Sequence, residues 1–309
     1  MLNRILKAPC DAALKILGYR IISLKEGGLK PIENVSDARS IFYHVNTQPA
    51  RARIQIERCR GNPWFRFGPD SEHPFVLAAK EGLVSKTYET GIRGVLKEFY
   101  DTVVCRSAAD VVGMHDEGTL TLGLYPPYGI LLPWERGDIK ERTDAQAKVI
   151  RAHNKKLKQS VGVEDGWAWS GPVTERKLDI ETSRLANLLR SIHRVGYKAH
   201  PGADGDPVGL VMSRSDGEWC WWALWGQHRL AVASALGMES ITVRITGRVC
   251  REDFDIWPQV KNDLYSRNDA LMLFDQLFSG EGFGAARKWR GFAENKKIYE
   301  PFKATELNN

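Results

Sequence analysis

The sequence predicts an α+β protein, and three observations carry that prediction. An apolar strand pattern, Trp219–Trp225, turns on Gly226 directly into a helical pattern that runs to Leu236 and closes on Gly237. Glu181–Arg194 places Leu185, Leu188, Leu189 and Ile192 on one helical face and ends near Gly196. Val208–Met212 is a short apolar strand, and Ile241-Thr-Val-Arg-Ile245 reads as a last strand. With 309 residues, 43% of them hydrophobic and 27% charged, the chain can bury a large core and has the composition of a soluble globular protein.

The remaining elements follow in order. Residues 1–20 repeat apolar side chains (Leu2, Ile5, Leu6, Ala13, Ile16, Leu17) at near-helical spacing, with Pro9 as a kink or restart. Ala52–Cys59 alternates like a short strand. Asn62–Pro69 is an aromatic loop bounded by Pro and Gly. Phe75–Lys80 and Ile92–Tyr100 read as helices, and Ser107 to Asp110 has the form of a helix cap. Pro126, Pro127 and Pro133 forbid a regular helix or central strand over Tyr125–Trp134. Residues 135–160 are polar and lack Phe, Trp and Tyr, as expected of an exposed connecting helix; the basic run from His153 to Lys158 is a solvated face. Ser215–Glu218 is the turn of a hairpin, and residues from Arg251 onward are mainly helical. Gly280–Gly284 is glycine-rich without a clear preceding strand, which suits a flexible loop better than a nucleotide cradle.

Charge and cysteine usage narrow the class. A net charge of +6 with both signs interspersed permits an anionic ligand without the dense basic stripe of a dedicated DNA binder. Five separated cysteines with no CxxC pair fit reduced thiols in a cytosolic protein. No apolar run has membrane-spanning length, and the N-terminal pattern lacks a signal-peptide core, so a cytoplasmic protein without membrane insertion is expected. The histidines show no HxH or HExxH spacing, so no metal-ligating residues are assigned.

The chemistry concentrates at Gly226-Gln227-His228-Arg229. A strand that turns on glycine into a helix leaves backbone N–H groups uncommitted at the turn. The positive helix end and two basic side chains favour an anion there. Arginine adds a planar two-pronged donor. The plain structural alternative is a tight turn at Gly226 with Arg229 paired to a carboxylate. Arg66 and His73 could extend the anion site, but a structural loop accounts for them better.

The order helix, strand, turn, strand, Gly-x-His-Arg, helix, strand resembles the fold shared by the N-terminal domain of partition protein ParB, sulfiredoxin and the free-serine kinases. The resemblance runs from about Gly171 to Ile245. It is carried by Ser191–Gly196, Gly226–Ala231, Leu236-Gly237 and Ile241–Val243. It implies a ParB/sulfiredoxin-like core, a small mixed sheet with helices. That core would occupy 171–250, after an N-terminal α+β accessory region (1–134) and a charged helical connector (135–170), and before a mainly helical C-terminal region (251–309). It also implies a nucleotide phosphate (ATP or ADP, with another nucleoside triphosphate also permitted) held by Gly226, Gln227, His228 and Arg229, with Mg²⁺.

Departures from the family pattern decide among its activities. Gln227 stands where sulfiredoxin has its catalytic cysteine, which removes sulfinic reductase chemistry. His228 stands where ParB proteins usually have arginine. Trp225 stands where the serine kinases have aspartate. Those kinases use a glutamate before the first helix of the domain as base. Glu175 is the loose match, with Asp179 and Glu181 as rivals and helix-dipole stabilisation as the structural alternative. The expected function is therefore a nucleotide-dependent kinase. It would act on a hydroxyl of a small metabolite or sugar, with Glu175, His228 and Arg229 as catalytic residues. The alternative is a non-catalytic, nucleotide-gated DNA-binding protein. Tyr128–Glu135, Gly166–Pro172 and Trp257–Ser266 are similar to ParB-like proteins of bacterial surface-polysaccharide gene clusters, which suggests polysaccharide biosynthesis as context.

Overall fold

Pairing between distant segments builds the sheet. The computed structural model describes residues 37–44, 50–114, 120–155, 161–200 and 205–295. Its contacts divide the chain into Met1–Pro31 and Ile32–Asn309, and every element below belongs to the second unit. The helix expected over 1–20 lies outside the described residues.

Six strands form one mixed sheet: β1 (Ala50–Gln55), β2 (Cys59–Gly61), β3 (Phe65–Arg66), β4 (Val208–Ser213), β5 (Trp219–Trp225) and β6 (Ser240–Cys250). Their order is β1-β6-β4-β5-β2-β3. β4 and β5 are the expected antiparallel hairpin, and β6 returns parallel to β4. A parallel return needs a crossover, and the helix after Gly226 lies within it. Residues 219–223 of β5 are buried one after another, so both faces of the sheet are covered there and the Trp219, Trp221 and Trp222 rings are core.

The single strand expected over Ala52–Cys59 is two strands. Ile56–Arg58 is a 3₁₀ turn between β1 and β2. Ile56 is fully buried and its N–H donates to Glu239 O at 2.9 Å, which takes the backbone out of the ladder. β6, β4 and β5 all lie between β1 and β2 in the sheet. Four strand spacings on a flat sheet would need about 19 Å. The chain from Gln55 to Cys59 reaches at most about 14 Å, so the sheet must curl.

Eight α-helices of five or more residues are described: α1 (Pro74–Val84), α2 (Tyr88–Thr102), α3 (Ala108–Val112), α4 (Ile139–Lys155), α5 (Glu175–Val195), α6 (Gln227–Ala235), α7 (Arg267–Ser279) and α8 (Arg287–Asn295). Helix α1 packs on α2, α5 and α6, and α5 also packs on α2 and α6. Helix α1 buries Pro74 through Ala79, as a helix enclosed on nearly all sides does. Ser107 and Asp110 form the expected capping box at α3. Helix α4 is polar outward but buries Ile139, Ala147 and Ile150. β1 to β3 and α1 to α3, from the segment the sequence sets apart as accessory, complete the sheet and the helical pack.

Two boundaries differ from expectation. Helix α5 begins at Glu175, capped by Thr174, whose side chain accepts from Lys177 N. Glu175 is therefore the first residue of the helix rather than upstream of it. The glycine-rich 280–284 segment is a packed turn: Gly280, at φ +68°, ends α7, and a Cβ on Gly282 would meet the Phe65 ring at 2.5 Å.

Candidate functional site

The corner between β5 and α6 is open to solvent. Gly226 is exposed at φ +84°, and no side chain caps the helix. The glycine is required: a Cβ there would approach Pro207 Cα at 2.8 Å, besides the strain of a left-handed backbone. Trp225, 45% exposed, stands at the rim. The floor comes from the segment before β4: Pro207 lies under Gly226, and Gly205 O accepts a hydrogen bond from Arg229 Nη1. Next to them, buried Asp206 binds Arg51 Nε at 2.6 Å through Oδ2, while its Oδ1 has no hydrogen-bond partner. Sequence reasoning passed over Asp206, which has only a Gly-Asp-Pro turn as its signal.

Gln227 turns inward. Its Nε2 donates to Ala223 O at 3.2 Å, and its Oε1 is buried without a partner. A Cβ on Gly61 would meet that oxygen at 2.6 Å. Gln227 can therefore offer a ligand its backbone N–H and not its side chain.

His228 points between helices rather than straight outward. Its Nε2 lies 2.9 Å from Glu181 Oε2 on α5, and its ring packs edge-on to Phe75 (4.8 Å) and tilted to Trp169 (5.5 Å). Glu181 is fully buried and also takes Lys177 Nζ at 2.8 Å and Arg184 Nη1 at 2.8 Å. Burial opposes the Glu181 charge, but Arg184, Lys177 and the His228 bond outweigh it and hold the carboxyl well below its ordinary range. Burial pushes the His228 pKa down, and the bond to Glu181 restores only part of it. The single carboxylate charge is already met by a lysine and an arginine, so the neutral imidazole is the stable form. Nε2–H then donates to Glu181, and Nδ1 is left as the acceptor atom.

The three acidic candidates on α5 separate cleanly. Glu175 and Asp179 are exposed and share Arg93 of α2, Asp179 at 3.3 Å. Six residues of helix place Glu175 about 9 Å along the axis from Glu181 and on a different face. Glu181 is the acid that reaches His228. Its signal was its place on the buried stripe of α5, where a carboxylate needs partners. Trp169, from the flanking Gly166–Pro172 motif, contributes the ring over His228.

His73 is structural. Its Nδ1 accepts from Phe75 N at 3.2 Å, which caps α1, and its Nε2 meets Asn62 O at 2.7 Å. Burial, opposed by the Asn62 bond, pushes its pKa down to about 3. Arg66 lies on β3, lining a cavity of about 130 Å³ with Arg60, Glu72 and Arg290. A groove of about 670 Å³ runs past Arg53, Ile54, Trp219 and Met238. The Gly226 corner lines neither.

Among the described residues no helix is long and apolar enough to cross a membrane, and no three His, Cys, Asp or Glu side chains are grouped to hold a metal ion. The chain matches no protein-family model, and no curated protein or solved structure is significantly similar to it.

Proposed function

We propose that the chain binds the phosphates of a nucleotide at the Gly226 corner and transfers a phosphoryl group to a hydroxyl of a small metabolite or sugar. The observation that carries this reading is the uncapped, exposed start of α6 beside a histidine oriented by a buried carboxylate. Backbone N–H groups at the first turn and the helix dipole suit a phosphate. Arg229 donates one N–H to Gly205, and a guanidinium has five. The resemblance to the free-serine kinases supplies the reaction class. The likeness of the flanking motifs supplies polysaccharide biosynthesis as context.

The residues divide the work as follows. The corner backbone of Gly226 and Gln227, with Arg229, would hold ATP, ADP or another nucleoside triphosphate. Mg²⁺, when bound with that nucleotide, spreads the phosphate charge. A neutral His228 is a poor neutraliser of phosphate but a suitable base. Its Nδ1 accepts the proton the acceptor hydroxyl gives up, while Glu181 holds the ring and stabilises the imidazolium. Glu175, the base implied by the resemblance, would first have to leave Arg93. The DNA-binding alternative needs an exposed recognition helix after the sheet. Helix α8 is instead pinned by fully buried Trp289, and its Arg290 is engaged by Glu72 and Glu281.

Incubation with γ-labelled nucleotide and a panel of hydroxyl metabolites tests the proposal. Transfer of label is expected. Arg229→Ala should weaken nucleotide binding at least about tenfold, as loss of a charge-assisted bond does. His228→Ala should lower the transfer rate by about 10²–10⁴, as loss of a general base does. Absence of transfer, with nucleotide affinity unchanged in both variants, overturns it.

A further inference from the structure

The cavity between β2, β3 and the end of α7 holds an arrangement of charge that the Gly226 corner does not explain. Arg60 and Arg66 are directly opposite each other in the β2–β3 register. Like charges at opposed positions destabilise a strand pair. Arg60 is half-buried, and among the described residues its guanidinium donates only to backbone: Phe278 O at 2.9 Å, Glu57 O at 2.6 Å and Cys59 O at 3.1 Å. Burial lowers the Arg60 pKa, and Arg66 and Arg58 add to that. Among the described residues no carboxylate pairs with Arg60 or Arg66. The two acids in the wall, Glu72 and Glu281, both lie on Arg290, at 3.3 and 3.4 Å. Three guanidinium groups thus face two carboxylates, and the excess positive charge falls on the opposed pair.

The surrounding chain keeps this arrangement in place. Gly280 closes α7 in a left-handed conformation, and its O accepts from Arg66 N at 2.7 Å. A side chain at position 280 would collide with the Arg60 side chain and approach Arg66 N at 2.8 Å. The glycine-rich 280–284 segment therefore gives Arg60 its path. The cavity, about 130 Å³ and partly open to solvent, has room for a single tetrahedral oxyanion.

We propose that this cavity binds a small oxyanion of the phosphate or sulfate type between Arg60 and Arg66. It is built from elements other than the β5–α6 corner and stands whether or not that corner holds a nucleotide. The Arg66 fork and the Nη2 hydrogens that Arg60 has left over from its backbone bonds, placed on one oxyanion, relieve the Arg–Arg repulsion and supply charge-assisted hydrogen bonds.

The test is calorimetric titration of the full chain with inorganic phosphate, in a protein carrying Arg229→Ala so that the corner does not contribute. Arg66→Gln is the informative change, because Arg66 is exposed and its removal leaves the Arg60 backbone bonds intact. It should weaken phosphate binding about tenfold or more. Glu281→Gln, which removes a negative charge from the wall and loosens Arg290, should tighten it severalfold. A selenate soak should place anomalous density between Arg60 and Arg66 that Arg66→Gln abolishes. Phosphate affinity unchanged by Arg66→Gln, or no binding to the Arg229→Ala protein, overturns the proposal. Label transfer in the kinase assay should survive Arg66→Gln, so failure of one site does not imply failure of the other.

Discussion

His73 and His228 share their neighbours and differ in everything that sets their chemistry. Phe75 and Trp169 contact both rings. His73 is fully enclosed, with one nitrogen on a backbone carbonyl and the other capping a helix. Both its nitrogens are spent on local structure. The His228 side chain is 16% exposed, and one nitrogen is held by a carboxylate. One histidine is a fixed part of the core. The other is an imidazole held by a carboxylate at the edge of an open corner. Residue type and aromatic surroundings do not separate the two; the partner of each ring nitrogen does.

Three measurements sharpen or break that contrast. The largest effect is expected from Glu181→Ala. It strips the buried carboxylate from the Lys177, Arg184 and His228 cluster, at a cost of about 3–5 kcal/mol. Denaturant unfolding reads this directly, and a loss below about 1 kcal/mol would show that the cluster is hydrated.

The second is the pH dependence assigned to His73. Its pKa falls from an ordinary 6.5 to about 3 in the folded protein, mainly through burial. The unfolded chain therefore binds a proton in that window that the native chain refuses. The stability contribution is complete above pH 6.5 and is lost as pH falls towards about 3, by at most about 1.4 kcal/mol per pH unit. His73→Leu should remove that slope from the difference between the two unfolding curves. Parallel curves would mean that His73 is protonated in the native state.

The smallest stability effect belongs to Glu175→Gln. It breaks an exposed pair with Arg93, worth under about 1 kcal/mol. If His228 is the base, phosphoryl transfer by this variant stays within a few-fold of wild type. A loss of transfer with unchanged stability would return the base role to Glu175.

Much of this was legible in the chain because local pattern and tertiary structure agree. The hairpin, the Gly226 turn, helix α6 and the Ser107 cap each follow from neighbouring residues alone. What escaped notice depends on residues far apart in sequence. Ala52–Cys59 alternates smoothly, yet Ile56 leaves the ladder because Glu239 accepts its N–H. Glu181 was readable as a helix acid, but its role as the His228 partner exists only once α5 and α6 pack. Gly280–Gly284 looked loose because its reasons for glycine are a phenyl ring and an arginine from β2 and β3. Arg66 stood out only as a possible extension of the Gly226 site; its opposition to Arg60 is a matter of register, which the chain does not announce.

The sheet order has a consequence for biosynthesis. Ala50 faces Ile245 and Cys59 faces Trp221, so β1 has no strand partner, and β2 has only β3, until most of the polypeptide has been made. A nascent chain halted after residue 205 would display β1 and one edge of β2 bare, with α1 lacking α6 to close over it. Such delayed closure of long-range strand pairs favours slow folding and exposes apolar surface in partly made chains.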